Sequence, residues 1–264
     1  MTALLETRDL AMRFGGLTAV EKFCCSIEKG ELFGLIGPNG AGKTTVFNML
    51  TGVYKPSEGE IVLDGTPTTG LAPADISARG VSRTFQNIRL FDELSVLENV
   101  MAGAHQHAKI NLLDALLRTG RYRREEESQR EQAMRLLDFV GLGDRAGLPA
   151  RALAYGHRRK LEIARALATQ PRLLCLDEPG AGMNHAEKLE LSALIRRIRD
   201  ELGITILLIE HDMKLVMGLC ERIQVLDHGQ TICCGAPAEV QCNDAVIEAY
   251  LGAGESGRKK TADH

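Results

Sequence analysis

Gly37-Pro38-Asn39-Gly40-Ala41-Gly42-Lys43-Thr44 fits the pattern G-x-x-x-x-G-K-[ST], and its surroundings give that pattern meaning. Residues 31–37 form a compact apolar run of strand length, and residues 44–50 read as a helix opening on the turn. Glycines let such a turn fold so that successive backbone N–H groups point inward at phosphate oxygens. The helix that follows, entered through Thr45, adds its free N–H groups and the positive end of its dipole. Lys43 places a charge near the β- and γ-phosphates, and the Thr44 hydroxyl can ligate Mg²⁺. Strand, loop and helix together predict a nucleotide site.

The matching half of such a site lies far downstream. Leu173-Leu174-Cys175-Leu176-Asp177 is an apolar strand ending in an acid, followed at once by Glu178. Asp177 is the candidate holder of the magnesium shell, and Glu178 the candidate for polarising an attacking water. The next apolar strand ends in Glu210-His211-Asp212. That is where a parallel sheet presents groups to a ligand, just beyond the carboxyl ends of its strands.

Apolar β-prone runs alternate with helical patterns along the rest of the chain, the sign of an α/β fold with a mostly parallel sheet. Strands are expected at 4–12, 59–64, 80–85, 173–177 and 204–210. Helices are expected at 157–169 and 187–202, and a hairpin at 222–234 turning on His228-Gly229. Between about 87 and 153 the pattern becomes helical and more charged, with a mixed-charge run at 118–130 that reads as a solvated helix face. The tail 254–264 is small, polar and charged, and is expected to be disordered. Seven cysteines, two pairs of them adjacent, form no CxxC; redox switches or metal ligands are the alternative for the adjacent pairs, and the favoured reading is buried or half-buried strand thiols of a reducing compartment.

At 264 residues, with 44% hydrophobic and 25% charged, the chain suits one large domain. Its formal charge of −3 gives no reason to expect a nucleic-acid partner. No apolar run approaches the roughly 18–20 residues that span a bilayer, and the first ten residues lack the pattern of a secretory signal. A membrane role would therefore need another chain as anchor.

Taken in order, these pieces resemble the ATP-binding cassette family over about residues 4–252. Thr84-Phe85-Gln86-Asn87 is similar to its glutamine loop, and Leu153-Ala154-Tyr155-Gly156-His157 to its signature motif, opening a helix. The resemblance implies the cassette fold of phosphate-loop NTPases, with a mostly parallel core sheet, an antiparallel β part and a helical insert at about 87–165. It also implies roles. Phe14 would stack on adenine, Gln86 would touch magnesium and water, Glu178 would act as general base, and His211 would contact the γ-phosphate. Ala154, Tyr155, Gly156 and His157 would meet ATP across a dimer, with Gly182-Met183-Asn184 crossing the interface.

Phrases such as Arg13-Phe14-Gly15-Gly16, Arg83-Thr84-Phe85-Gln86 and Glu210-His211-Asp212-Met213 look like the larger ATPase of branched-chain amino acid importers, as does a long helical insert around 111–132. That likeness implies ATP and Mg²⁺ and a second ATP-binding subunit, the same or different, facing head to tail. It further implies two transmembrane permease subunits, a periplasmic solute-binding protein, and a peripheral place on the cytoplasmic face of the inner membrane. Two other readings stay open: the motor of a lipid or lipopolysaccharide exporter, and a soluble cassette ATPase acting on nucleic acid or ribosomes. In the signature, Ala154 and His157 stand where Ser and Gln are usual, so no hydroxyl is available to phosphate at the second position.

Overall fold

The computed structural model describes residues 3–104 and 120–250. The tail 253–264 and part of the 111–132 insert, with residues 118 and 119 of the charge run, lie outside the described residues. Ten strands are found among the described residues. In chain order the first are β1 (Ala3–Phe14), β2 (Leu17–Glu28), β3 (Leu32–Ile36), β4 (Glu58–Leu63), β5 (Thr66–Pro67) and β6 (Val81–Arg83). The others are β7 (Leu173–Asp177), β8 (Thr205–Ile209), β9 (Arg222–Asp227) and β10 (Gln230–Gly235). The helices are α1 (Lys43–Leu50), α2 (Pro73–Ala78), α3 (Val96–Ala104), α4 (Gly120–Val140), α5 (Tyr155–Leu167), α6 (His185–Leu202), α7 (Met213–Leu219) and α8 (Pro237–Gln241).

Two sheets share the strands. One is antiparallel with order β2-β1-β4-β5; the other runs β10-β9-β3-β8-β7-β6 and is parallel except for β10. Every residue of β3, β7 and β8 is buried, as expected of parallel strands covered on both faces. Alternate side chains then serve opposite cores. Phe33, Leu35, Cys175, Leu207 and Ile209 join the core under β1, β2 and α1. Leu32, Ile36, Leu174, Leu176, Ile206 and Leu208 join the core under α3, α5, α6 and α7. The central strands all end at one edge of the sheet, and the loops leaving that edge carry the motifs.

The expected strands and helices are present with ends shifted by a few residues, and β7 falls at 173–177 as read. β2, β5, α2, α7 and α8 are additional. Cys175, Cys25 and Cys233 are buried or half-buried in strands, but the expectation fails elsewhere. Cys24, Cys234 and Cys242 are exposed, and Cys220 is buried at the end of α7 rather than in a strand. Among the described residues no helix is long and apolar enough to cross a membrane.

Candidate nucleotide-binding site

The glycine loop joins β3 to α1 and is shaped by close backbone approach. A Cβ on Gly37 would sit 2.1 Å from the Leu226 carbonyl oxygen, and one on Gly42 would sit 2.7 Å from that of Ala19. Gly42 also takes φ +102 as the residue capping α1, a conformation open to glycine and costly for other residues. The β9–β10 turn supports the loop from outside. His228 and Gly229 both have positive φ, as a two-residue hairpin turn requires. Gly229 N–H donates to the Ala41 carbonyl at 3.0 Å, and its own carbonyl accepts from Glu21 N–H at 2.9 Å.

Lys43 Nζ donates to the carbonyls of Gly37 and Pro38 at 2.7 and 2.8 Å, so the ammonium lies back across the loop. Burial lowers its pKa below the ordinary lysine range, and Glu178 and Asp177 act in the opposite sense. A cavity of about 540 Å³ follows the loop through Asn39, Gly40, Ala41, Gly42, Lys43, Thr44 and Thr45. Leu17, Thr18, Ala19 and His228 line it too, as do Gln86 and Glu178. A larger cavity of about 1000 Å³ adjoins Gly37 and Pro38 and reaches His211, Asp227 and Tyr250. The two share Asn39, Gly40, Ala41 and His228, so the loop runs between them.

The carboxylates stand at the end of β7. Asp177 is buried, its N–H donates to Thr84 Oγ1 at 3.3 Å, and Arg83 Nη2 lies 3.4 Å from its Oδ2. Burial raises the Asp177 pKa and the Arg83 guanidinium pulls it back. Arg83 also donates to Asn48 Oδ1 and Thr51 Oγ1, both at 2.9 Å, which ties the Asp177 carboxylate to α1. Glu178 adopts φ +44, an uncommon conformation for a residue with a side chain. It brings Oε2 within 2.9 Å of Gln86 Nε2 and 3.5 Å of His211 Nδ1. Glu210 is fully buried, and it accepts from Gly180 N–H at 2.7 Å and His211 N–H at 3.2 Å. One side chain thus joins the turn after Glu178 to the turn carrying His211.

The structure therefore brings Lys43, Thr44, Thr45, Gln86, Asp177, Glu178 and His211 to one edge of the sheet. Phe14 and the signature residues line neither cavity. Phe14 is half exposed, its ring edge-on to Tyr54 with centroids 5.4 Å apart. Ala154 is the N-cap of α5 with no side-chain cap, and Tyr155 is 44% exposed beside Gly182. Burial lowers the His157 pKa, with Arg145 and Lys160 adding to it. Sequence reasoning gave no role to Arg83, Glu210 or the hairpin turn. The only trace of Glu210 was an acid at the end of an apolar strand.

This fold and this site define a phosphate-loop ATPase, and the sequence matches the family described as ABC transporter over residues 20–181. The chain belongs to that family. Residues 230–256 match the family described as branched-chain amino acid ATP-binding cassette transporter. The chain is 48% identical to the high-affinity branched-chain amino acid transport ATP-binding protein BraF of Pseudomonas aeruginosa, covering 94% of this chain and 98% of that one. The corresponding protein LivG of Escherichia coli gives the same figures. Among solved structures, the ADP conformation of MJ1267, an ATP-binding cassette of an ABC transporter, superposes with a TM-score of 0.83 at 30% identity. That match covers 96% of this chain and all of MJ1267.

Proposed function

We propose that this chain is the ATP-hydrolysing subunit of an importer for branched-chain amino acids. The observation that carries the solute class is the near-full-length likeness to BraF and LivG. In this reading the cassette occupies residues 4–252 and lies on the cytoplasmic face of the inner membrane. It pairs head to tail with a second ATP-binding subunit, of the same or another kind. Two permease subunits cross the membrane, and a periplasmic solute-binding protein feeds them.

The triphosphate lies against the backbone N–H groups of residues 39–45, and Lys43 exchanges its two loop carbonyls for phosphate oxygens. Phe14 stacks on the adenine. For Mg²⁺ the donor set fits: one hydroxyl at Thr44, one carboxylate at Asp177 and the Gln86 amide are hard oxygen ligands. No group of three or more His, Cys, Asp or Glu suited to a metal occurs among the described residues. Such a set suits an ion that keeps waters and takes phosphate oxygens, and it would neutralise charge on the phosphates. Glu178 takes the proton of the attacking water, with Gln86 holding its carboxylate and His211 facing the γ-phosphate. The facing subunit's counterparts of Ala154, Tyr155, Gly156 and His157 cover the γ-phosphate with backbone N–H groups at a helix N-terminus. ATP thus binds the closed pair better than the open one, and this difference drives closure.

The test is uptake of labelled leucine, isoleucine and valine in cells lacking this gene. Uptake should fall, return with the wild-type gene, and stay low with Glu178→Gln. A tagged chain should co-purify with two polytopic membrane chains from detergent-solubilised membranes. Unchanged uptake, or recovery of lipid-export components instead, would contradict the reading.

A further inference from the structure

Arg159 is the largest fully buried side chain among the described residues. It sits at the start of α5 with Glu162 one turn on, and both side chains are almost wholly out of solvent, 2.7 Å apart. Burying a charge is costly unless its hydrogen bonds are replaced. Here the replacements come from one short stretch of another segment. Arg159 Nη1 donates to the Phe85 carbonyl at 2.7 Å, and Nη2 donates to the Gln86 carbonyl at 2.9 Å. Glu162 Oε1 accepts from Phe85 N–H at 3.3 Å and Arg89 N–H at 3.4 Å. Arg159 Nε, buried too, has no partner among the described residues.

Four backbone groups of the loop after β6 therefore rest on one ion pair of the helix that opens at residue 155. The same loop sends Gln86 Nε2 to Glu178 Oε2. An apolar pair of similar volume can often replace a buried ion pair without loss of stability, but here it would leave those four backbone groups of the loop without these partners. What the charged pair adds is a fixed position of the Gln86 backbone relative to α5. We propose that Arg159 and Glu162 are positioning residues: they clamp the Gln86 loop to α5 and so set the Gln86–Glu178 contact on which turnover depends. Displacement of α5 then moves Gln86 directly. The proposal rests on the roles given above to Gln86 and Glu178.

The test uses the full chain carrying Arg159→Met/Glu162→Met, alone and with Gln86→Ala, beside Glu178→Gln. Backbone amide exchange in a peptide spanning 84–90 should rise about tenfold, while the peptide spanning α5 stays protected. ATP affinity should stay within about twofold. Turnover should fall on the order of 10–100-fold, and Gln86→Ala should add nothing to that loss. Unchanged exchange at 84–90 overturns the clamp, and a loss fully additive with Gln86→Ala overturns action through Gln86. If Glu178→Gln retains turnover, the base assignment fails by itself, whatever the exchange data show. Should the double variant not fold, Glu162→Gln keeps the size and one acceptor. It should show the same pattern at smaller amplitude, and no change in exchange with it overturns the clamp equally.

Discussion

Residues 37–44 and residues 153–157 each lead a segment into a helix N-terminus, and the chain treats them differently. The first is enclosed by its own molecule. Leu226 and Ala19 carbonyls press on its glycines, Gly229 holds Ala41, and Lys43 bonds back to Gly37 and Pro38. The second is left open: Ala154 caps α5 without a side-chain bond, and Tyr155 stands exposed. The first turn of a helix carries N–H groups with no partner inside the helix. In the loop they face a cavity built by this chain, whereas at residue 154 the capping side chain that would satisfy one of them is missing. A segment bonded within its own chain and a segment left open thus differ in how much of their bonding is local.

The largest effect should come from the enclosed side. Glu178→Gln should lower turnover on the order of 10²–10⁴-fold, because the amide cannot take a proton, and should leave ATP binding intact. Steady-state hydrolysis with the permease present checks this, and turnover within tenfold of wild type would remove Glu178 from the base role.

Gly37→Ala comes next. Its Cβ would overlap the Leu226 carbonyl, so the loop or β9 must shift at a cost of about 1–3 kcal/mol. For a domain of this size that lowers the melting temperature by several degrees, at roughly 2–4 °C per kcal/mol. An unshifted melting curve would mean the loop is looser than its contacts indicate.

On the open side Ala154→Ser should stabilise. A serine N-cap accepts from the first turn of α5 and is worth about 1 kcal/mol over alanine, or roughly 2–4 °C in melting temperature. It should also lengthen the life of an ATP-closed pair in a Glu178→Gln background. Neither change would mean that the first turn is already satisfied.

The smallest effect concerns His157. Its folded pKa lies below the unfolded value, held down by burial and by Arg145 and Lys160. The folded state therefore favours the neutral ring. This contribution is present above the unfolded value and is lost as pH falls through it toward the folded pKa. His157→Gln should gain stability relative to wild type on going from pH 7.5 to 5.5. A difference independent of pH would contradict the assignment.

Much of the enclosed site was legible because its signals are local. Gly37 to Thr44 and the apolar run ending at Asp177 each carry their meaning within a few residues, and β7 fell where it was read. β2 was not legible: its pairing with β1 is interrupted by register shifts, and Glu21, Lys22 and Ser26 blur its alternation. Arg83, Glu210 and the Arg159–Glu162 pair were visible only as charges beside motifs. The partners that give Arg159 its meaning lie more than seventy residues away, and periodicity carries no information at that distance. α7 escaped for another reason. It is one short helix, recognisable chiefly by Asp212, whose carboxylate caps it by accepting from Lys214 and Leu215 N–H.

In the proposed mode of binding, the loop from Gly37 to Thr44 holds the nucleotide by its own backbone and the Lys43 ammonium. Calorimetric titration of ATP with magnesium into wild type and Lys43→Ala tests it most directly. A hydrogen bond to a charged group is worth about 1.5–3 kcal/mol. Wild type should bind one nucleotide per chain, and Lys43→Ala should bind it roughly 10–150-fold more weakly. Equal affinity in the two proteins would mean that the Lys43 ammonium does not hold the nucleotide.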